Sequence, residues 1–143
     1  MTLARQFAGN LLRFSRQTFS PAAHEQARTA IIDTLGVTLA GGVQDGAEKL
    51  RRVIVPSAAV GKSRVFGTDL RLNALDAALL NGTASHLLDF DDSNSWLHGH
   101  ISVAVLPALL ALADDREPNG DAILRAYLAG YETAVRMGKA VSP

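Results

Sequence analysis

The sequence predicts an all-α domain of about six helices, and three observations lead to this prediction. Apolar residues recur at three- and four-residue spacing along most of the 143-residue chain. Residues that commonly begin or end helices separate these periodic segments. Only residues 57–72 lack helical periodicity, and within them residues 63–67 are expected to be extended. The length suits one domain with its own core, so we expect residues 1–143 to fold as one unit.

The first two predicted helices are separated by a strong start signal. Residues 3–19 place apolar side chains on one helical stripe. Ser20 suits the N-cap position and Pro21 the first helical position, so a second helix begins there. This helix is predicted to end at Gly41–Gly42, because glycine readily adopts the left-handed conformation that terminates many helices. Its apolar residues at four-residue spacing are Ala27, Ile31, Leu35 and Leu39.

The fourth predicted helix brings in the first polar residues of functional interest. A third helix over residues 45–55 precedes it, and Asn73 then caps the fourth, which runs from Ala74 to about Asp89. At about 100° per residue, one face of this helix carries a mixed set of side chains. We expect the leucines of this set to be buried and its polar residues to project at the C-terminal end. The set is Leu75, Leu79, Gly82, His86, Asp89 and Phe90.

The last two predicted helices complete the core. Residues 102–113 are almost wholly apolar, so this fifth helix is expected to lie centrally. The sixth helix, over residues 121–140, pairs Glu132 with Arg136 at four-residue spacing. Its side chains expected to face inward are Leu124, Tyr127, Leu128, Tyr131 and Val135.

Residues 86–102, between the fourth and fifth helices, form the candidate site. Three of the four histidines and three of the fourteen acidic residues of the chain lie in this stretch. Turn chemistry accounts for the Asp, Ser and Asn residues at 91–95. It accounts less well for the residues His86, Trp96, His98 and His100. A polar cluster set between apolar helices indicates a functional site, and a solvated interhelical loop is the alternative.

The composition excludes several classes of function. Fourteen basic and fourteen acidic residues give a net charge of zero, which supports neither nucleic-acid binding nor a charged membrane surface. The absence of cysteine excludes disulfides, thiolate metal sites and cysteine nucleophiles. No apolar run reaches the roughly 18 residues that a membrane span requires. We therefore expect a cytoplasmic protein with no membrane or nucleic-acid partner.

Several motifs in this chain resemble those of the MmgE/PrpD family. The segments NGTASHLLDFDD at 81–92, His100–Ser102 and LPALLALA at 106–113 resemble the family signature. Residues 32–41 and 129–132 also resemble family segments, so the resemblance covers nearly the whole chain. The sequence departs from the family at Ile101, where the family usually has proline.

The resemblance implies a lyase or isomerase that acts on a small polycarboxylate. Known members include 2-methylcitrate dehydratase, cis-aconitate decarboxylase and iminodisuccinate epimerase, which need no cofactor and no obligatory metal. The family fold is a large helical domain with a smaller lid, usually assembled as a homodimer. Family members are much longer than this chain, so residues 1–143 are expected to form the N-terminal portion of the helical domain, without the lid. The active site would then be completed by residues from elsewhere, including those of a second copy or another chain.

The resemblance also suggests roles for individual residues. Asp89 and His100 match family active-site positions and are expected to be catalytic. His100 would exchange a proton with the substrate, and Asp89 would orient a neighbouring group or hydrogen-bond the substrate. We expect Ser93, His86 and Asp92 to contribute to substrate binding.

Two other readings of the same residues remain open. One is a metal-dependent helical hydrolase, because the candidate site is rich in imidazole and carboxylate ligands. Strict inhibition by a chelator would support that reading. The other is a non-catalytic helical interaction module, or one part of a split enzyme. Its support is that removing part of a helical domain exposes apolar faces that then need a partner.

Overall fold

A computed structural model, which describes residues 2–141, confirms a mainly helical fold with six α-helices in that range. No helix within it combines the length and the apolar character needed to cross a membrane. A short 3-10 turn, Val55–Ser57, and an antiparallel pair of strands, β1 (Val60–Arg64) and β2 (Arg71–Leu72), occupy the aperiodic segment. The helices are α1 (Leu3–Ser15), α2 (Pro21–Gly42), α3 (Asp45–Ile54), α4 (Ala74–His86), α5 (Ser102–Arg116) and α6 (Gly120–Val141).

The predicted helix starts at Ser20 and Asn73 are confirmed. The Ser20 hydroxyl accepts a hydrogen bond from the backbone N–H of Ala23, 3.1 Å away, and Pro21 occupies the first turn. The Asn73 side chain accepts from the backbone N–H groups of both Leu75 and Asp76, each at 3.1 Å. These caps satisfy donors that have no partner inside a helix, and so they fix where α2 and α4 begin.

Helix α5 lies at the centre of the domain, as predicted. It packs against α4, α6, α2 and β1, while α4 in turn packs against α2 and α3. The buried Ser63 hydroxyl in β1 donates to the Ala111 carbonyl at 2.8 Å, which fastens the small sheet to α5. Two core clusters result, on either side of α5. The first centres on Val65, Leu72, Ala77, Leu80 and Ala111, and the second on Ala27, Leu106 and Tyr127.

Helix α1 ends at Ser15, so it is shorter than the helix predicted over residues 3–19. The chain then turns so that the rings of Phe14 and Phe19 meet edge to face, with centroids 5.2 Å apart. Arg125 in α6 donates to the Gln17 carbonyl at 2.8 Å and holds the turn. Packing against α6 thus ends a helix that apolar periodicity alone would continue.

The predicted burial of Leu75 and Leu79 is wrong, since these side chains are 84% and 48% exposed. The face of α4 that is buried instead consists mostly of small residues and centres on Asn81. The Asn81 amide accepts from the Phe66 backbone N–H at 2.9 Å and donates to the Arg64 carbonyl at 2.8 Å. This satisfied polar anchor ties α4 to the strand segment and turns the leucine face outward, next to the candidate site.

The predicted reason for glycine at position 41 is also wrong. Helix α2 ends at Gly42, close to the prediction, but neither Gly41 nor Gly42 has a positive φ. Gly41 is buried against α4, and a Cβ atom there would lie 1.9 Å from the Ala84 carbonyl oxygen. The glycine therefore allows two helix backbones to approach closely, one turn before the candidate site begins.

We expect Gly41→Ala to destabilise the domain by about 1–3 kcal/mol, because the new methyl group must displace the backbone of α4. Gly36→Ala is the matched control in the same helix, since a Cβ there meets no atom within 4 Å. The control should stabilise the domain by about 0.5–1 kcal/mol through helix propensity. Urea unfolding of both variants measures the difference, and equal stabilities would contradict the close approach.

Candidate functional site

Helix α4 ends at His86, where the candidate site begins, and not at about Asp89 as the sequence predicts. The Asp89 backbone N–H donates to the His86 carbonyl at 3.1 Å, and Asp89 itself adopts φ +54°. Aspartate is one of the few residues other than glycine that tolerate this left-handed conformation. The expectation that His86 and Asp89 share one helical face is therefore wrong. The chain instead reverses at Asp89 and folds back over the end of α4.

The reversal places a buried carboxylate, that of Asp91, between two imidazole rings. The Asp91 side chain has no solvent exposure, and its Oδ1 lies 3.0 Å from His86 Nδ1 in a hydrogen bond. Its Oδ2 lies 2.8 Å from His100 Nδ1, an ion-pair distance at an angle that does not make a hydrogen bond. The two rings are 4.7 Å apart between centroids. Asp91 thus holds both histidines in one cluster.

Asp89 contributes to the same cluster from the solvent side. Its Oδ1 lies 3.5 Å from His100 Nε2, and its side chain is 80% exposed, against 27% for His100. The structure therefore brings together three of the five residues expected at the site, namely His86, Asp89 and His100. The outer nitrogen of His100 thus faces an exposed carboxylate that a ligand could displace.

Asp91 is the residue that the sequence analysis missed. Turn chemistry explains Asp91 in the sequence, and a helix predicted to continue through Asp89 gives no reason to bring Asp91 back to His86. The available signal was the aspartate at the point of reversal, since Asp and Asn are enriched at positive φ. A chain that reverses there returns its next carboxylate to the end of the preceding helix.

Asp92 faces away from the cluster and holds the start of α5. Its two oxygens accept from the backbone N–H of Ser102 at 3.0 Å and from the Ser102 hydroxyl at 2.7 Å. This replaces a side-chain cap that Ile101, the N-cap residue, cannot supply. The Ser102 hydroxyl also lies 2.6 Å from the Tyr127 hydroxyl, and burial raises the pKa of Tyr127 to about 12. Asp92 therefore orders the backbone that carries His100.

Ser93 and His98 lie in the loop beyond the cluster. Both are exposed, and His98 has φ +52°. Asn94 and Gly99 pair through their backbones, which closes the loop into a short hairpin-like turn. Helix α6 supports this loop, because a Cβ at Gly138 would lie 2.6 Å from the Trp96 carbonyl oxygen. The structure thus leaves Ser93 outside the cluster of histidines and aspartates.

The hydrogen bond that the Asp91 carboxylate accepts from His86 raises the pKa of His86 above its usual value of 6.5, and the charge of Asp89 acts in the same direction. Partial burial opposes this shift but is the smaller influence. Because the pKa is raised in the folded state, the interaction stabilises the fold fully below about pH 6.5. That stabilisation is lost as the pH rises through the folded-state pKa of His86.

We expect an NMR titration of the His86 ring to show a midpoint above 6.5 that falls when Asp91 is replaced by asparagine. His98→Asn is the control, because it removes an exposed histidine outside the cluster and should leave the His86 midpoint unchanged. Asparagine is chosen since it tolerates the positive φ of that position. A His86 midpoint that is unchanged in Asp91→Asn would contradict the hydrogen bond between His86 and Asp91.

The fold and the cluster together define a helical domain that presents acid–base residues at the junction of two helices. The family model described as MmgE/PrpD N-terminal domain matches residues 5–143. The chain therefore belongs to the MmgE/PrpD family.

Curated relatives of the chain include cis-aconitate decarboxylases from three organisms. The human protein is 34% identical over 119 residues, which cover 79% of this chain and 24% of that protein. The mouse protein is 30% identical over 142 residues, which cover 95% of this chain and 29% of that protein. The Aspergillus terreus protein is 27% identical over 122 residues, covering 82% and 25%. The chain spans about a quarter of the length of these relatives.

Proposed function

We propose that this chain supplies acid–base residues to a lyase that acts on a small polycarboxylate. The observation that carries the proposal is the buried Asp91 carboxylate between two imidazoles, with Asp89 at the outer nitrogen of His100. Decarboxylation of cis-aconitate is the first reaction to test, because relatives from fungi and mammals bear that name. Dehydration of 2-methylcitrate and epimerisation are the alternatives within the family.

His100 is the residue best placed to exchange a proton with a substrate. Its Nδ1 faces the buried Asp91, which fixes the orientation of the ring, and its Nε2 points toward the exposed Asp89. Histidine exchanges protons near neutral pH, which suits reactions that pass through carbanion-like charge. A substrate that displaces the Asp89 side chain would place its reacting carbon next to Nε2.

In a decarboxylation, the bond between the substrate carbon and the departing carboxylate breaks and CO2 leaves. The electron pair remains on the substrate and is delocalised toward its double bond and a remaining carboxylate. His100 then donates the proton of Nε2 to the resulting carbanion, and water returns a proton to the ring. Asp91 keeps the ring in place throughout.

The carboxylates of the substrate require cationic partners or free helix N-termini. Residues 86–102 contain no lysine or arginine. The N-terminus of α5 is already occupied by Asp92, which accepts from the Ser102 N–H. We therefore assign the binding of the substrate carboxylates to cationic residues outside this stretch, whether in the same polypeptide or in a partner.

The test is an assay of the natural polypeptide that contains this chain against a panel including cis-aconitate and 2-methylcitrate. The expected result is release of one CO2 per cis-aconitate, with formation of an unsaturated dicarboxylate, in the presence of a chelator. Failure of the folded polypeptide to convert any polycarboxylate of the panel would overturn the proposal. Activity that a chelator abolishes and a divalent ion restores would favour metal-dependent chemistry instead.

We also propose that a second copy of the polypeptide covers the exposed leucine face beside the cluster. Leu75 and Phe90 are 84% and 73% exposed, and Leu79 and Leu87 are 48% and 38% exposed. Isolated apolar side chains are common on surfaces, but Leu79 and Leu87 line one surface groove together with His86. Their position next to His86 would let the partner copy shape the substrate pocket.

Multi-angle light scattering of the 143-residue chain tests whether a second copy covers this leucine face. We expect self-association that increases with concentration and that Leu79→Glu weakens. Ile32→Glu is the control, because Ile32 is 70% exposed on a different helix. A clean monomer with a sharp cooperative melt would contradict the proposal, and association that only Ile32→Glu weakens would place the interface elsewhere.

A further inference from the structure

We propose that the cluster of His86, Asp89, Asp91 and His100 binds a divalent transition ion of borderline softness, such as Zn²⁺. Each of the four residues offers one ligand atom, and these atoms all lie within 4.8 Å of one another. Imidazole nitrogens and carboxylate oxygens are ligands that Zn²⁺ accepts, in sets of four arranged as a tetrahedron.

The His100 ring supplies an independent observation. Its Nδ1 is shielded from solvent yet makes no hydrogen bond, even though Asp91 Oδ2 lies 2.8 Å away. A buried polar atom without a hydrogen bond is costly and usually has a ligand or a functional role. His100 Nδ1 and Asp91 Oδ2 are close but not aligned for a hydrogen bond to each other. Such an arrangement fits two ligand atoms that both face a metal ion.

The geometry can reach a tetrahedral site with small movements. With bonds of about 2.0–2.2 Å, the ligand atoms of a tetrahedral Zn²⁺ site lie roughly 3.4 Å apart. Asp91 coordinates through one of its two oxygens, so its contact with one ring, at 2.8 or 3.0 Å, opens slightly, and the separation of up to 4.8 Å closes. We assign the largest movement to Asp89, because its side chain is 80% exposed.

Charge favours a cation at the same place. Asp89 and Asp91 bring two carboxylates to the cluster, and residues 86–102 contain no lysine or arginine. A divalent ion would balance these charges and satisfy the buried Asp91 carboxylate, which has no solvent exposure.

The ion is expected to be an inhibitor of the proposed lyase and not its cofactor, and this part rests on the proposed function. Coordination uses the lone pairs of both imidazoles, so His100 could no longer exchange a proton. It also draws Asp89 inward, which closes the side from which a substrate would approach.

Calorimetric titration of the natural polypeptide with Zn²⁺, and the visible absorption of bound Co²⁺, test binding without any assay of activity. We expect one ion per chain, with an affinity at least about tenfold lower in His86→Gln and in Asp91→Asn. His98→Asn should bind as the wild type does. Absence of saturable binding would overturn the proposal, and so would binding by His86→Gln and Asp91→Asn with the affinity of the wild type. Circular dichroism checks that each variant is folded.

A second arm measures lyase activity at increasing Zn²⁺ on the same polypeptide. Inhibition that follows the calorimetric binding curve and is reversed by a chelator is the expected result. Full activity with the site saturated would overturn the inhibitory role. An inactive polypeptide that still binds one ion at this cluster would count against the proposed lyase function alone, because the binding measurement is independent of it.

Discussion

Replacing His100 with alanine should lower kcat of the natural polypeptide by roughly 10²–10⁴-fold, the usual contribution of a general acid or base. The melting temperature should change little, because the His100 ring is 27% exposed and makes no hydrogen bond through its buried nitrogen. The expected effect thus falls on the chemical step and not on the fold. Steady-state kinetics and a thermal melt of the same preparation measure both quantities.

His98→Asn is the matched control for this experiment. His98 lies two positions away in the same loop, is exposed, and stands outside the cluster. Its replacement should leave kcat and the melting temperature close to those of the wild type. A His100→Ala variant that retains full activity would refute the catalytic role, and one that loses both activity and the cooperative melt would make His100 a structural residue.

Replacing Asp91 with alanine should produce the second large effect, on stability as well as on activity. The change leaves His86 Nδ1 without its hydrogen-bond partner and removes a fully buried carboxylate, so we expect a loss of about 1–3 kcal/mol. Loss of the group that orients the His100 ring should also lower turnover by about 10²-fold. Urea unfolding and kinetics measure the two losses.

Asp91→Asn separates the two roles of this carboxylate, because it keeps the shape of the side chain and removes its charge. It should retain more stability than Asp91→Ala and still show reduced turnover. Asp115→Ala, at an exposed aspartate of α5, is the control and should change stability by less than about 0.5 kcal/mol. Asp91→Ala with wild-type stability and turnover would show that the cluster has no function.

The parts of the fold that sequence predicts are those set by local chemistry. The caps at Ser20 and Asn73 are confirmed because their side chains bond to groups no more than three residues away. The central place of α5 is confirmed because a segment without polar side chains has few other stable positions. The pairing of Glu132 with Arg136 at 2.7 Å is likewise a contact within one helix.

The parts that sequence fails to predict depend on tertiary packing. Helix α4 carries alanine or leucine on nearly every side, so periodicity cannot tell whether Leu75 or Leu80 faces the core. The end of α4 is equally hard to predict, since Leu87 and Leu88 continue the apolar pattern beyond His86. The hydrogen bond between His86 and Asp91 stabilises the reversal of the chain at Asp89, and only the folded structure shows this contact.

The most direct test that this cluster receives a polycarboxylate is binding of propane-1,2,3-tricarboxylate, an unreactive analogue of cis-aconitate. Binding is followed through the histidine ring signals in NMR spectra of the natural polypeptide. We expect saturable shifts at His86 and His100, with His24 and His98 unaffected. Shifts confined to His24 or His98, or no saturable change at any histidine, would contradict the claim that this cluster receives a polycarboxylate.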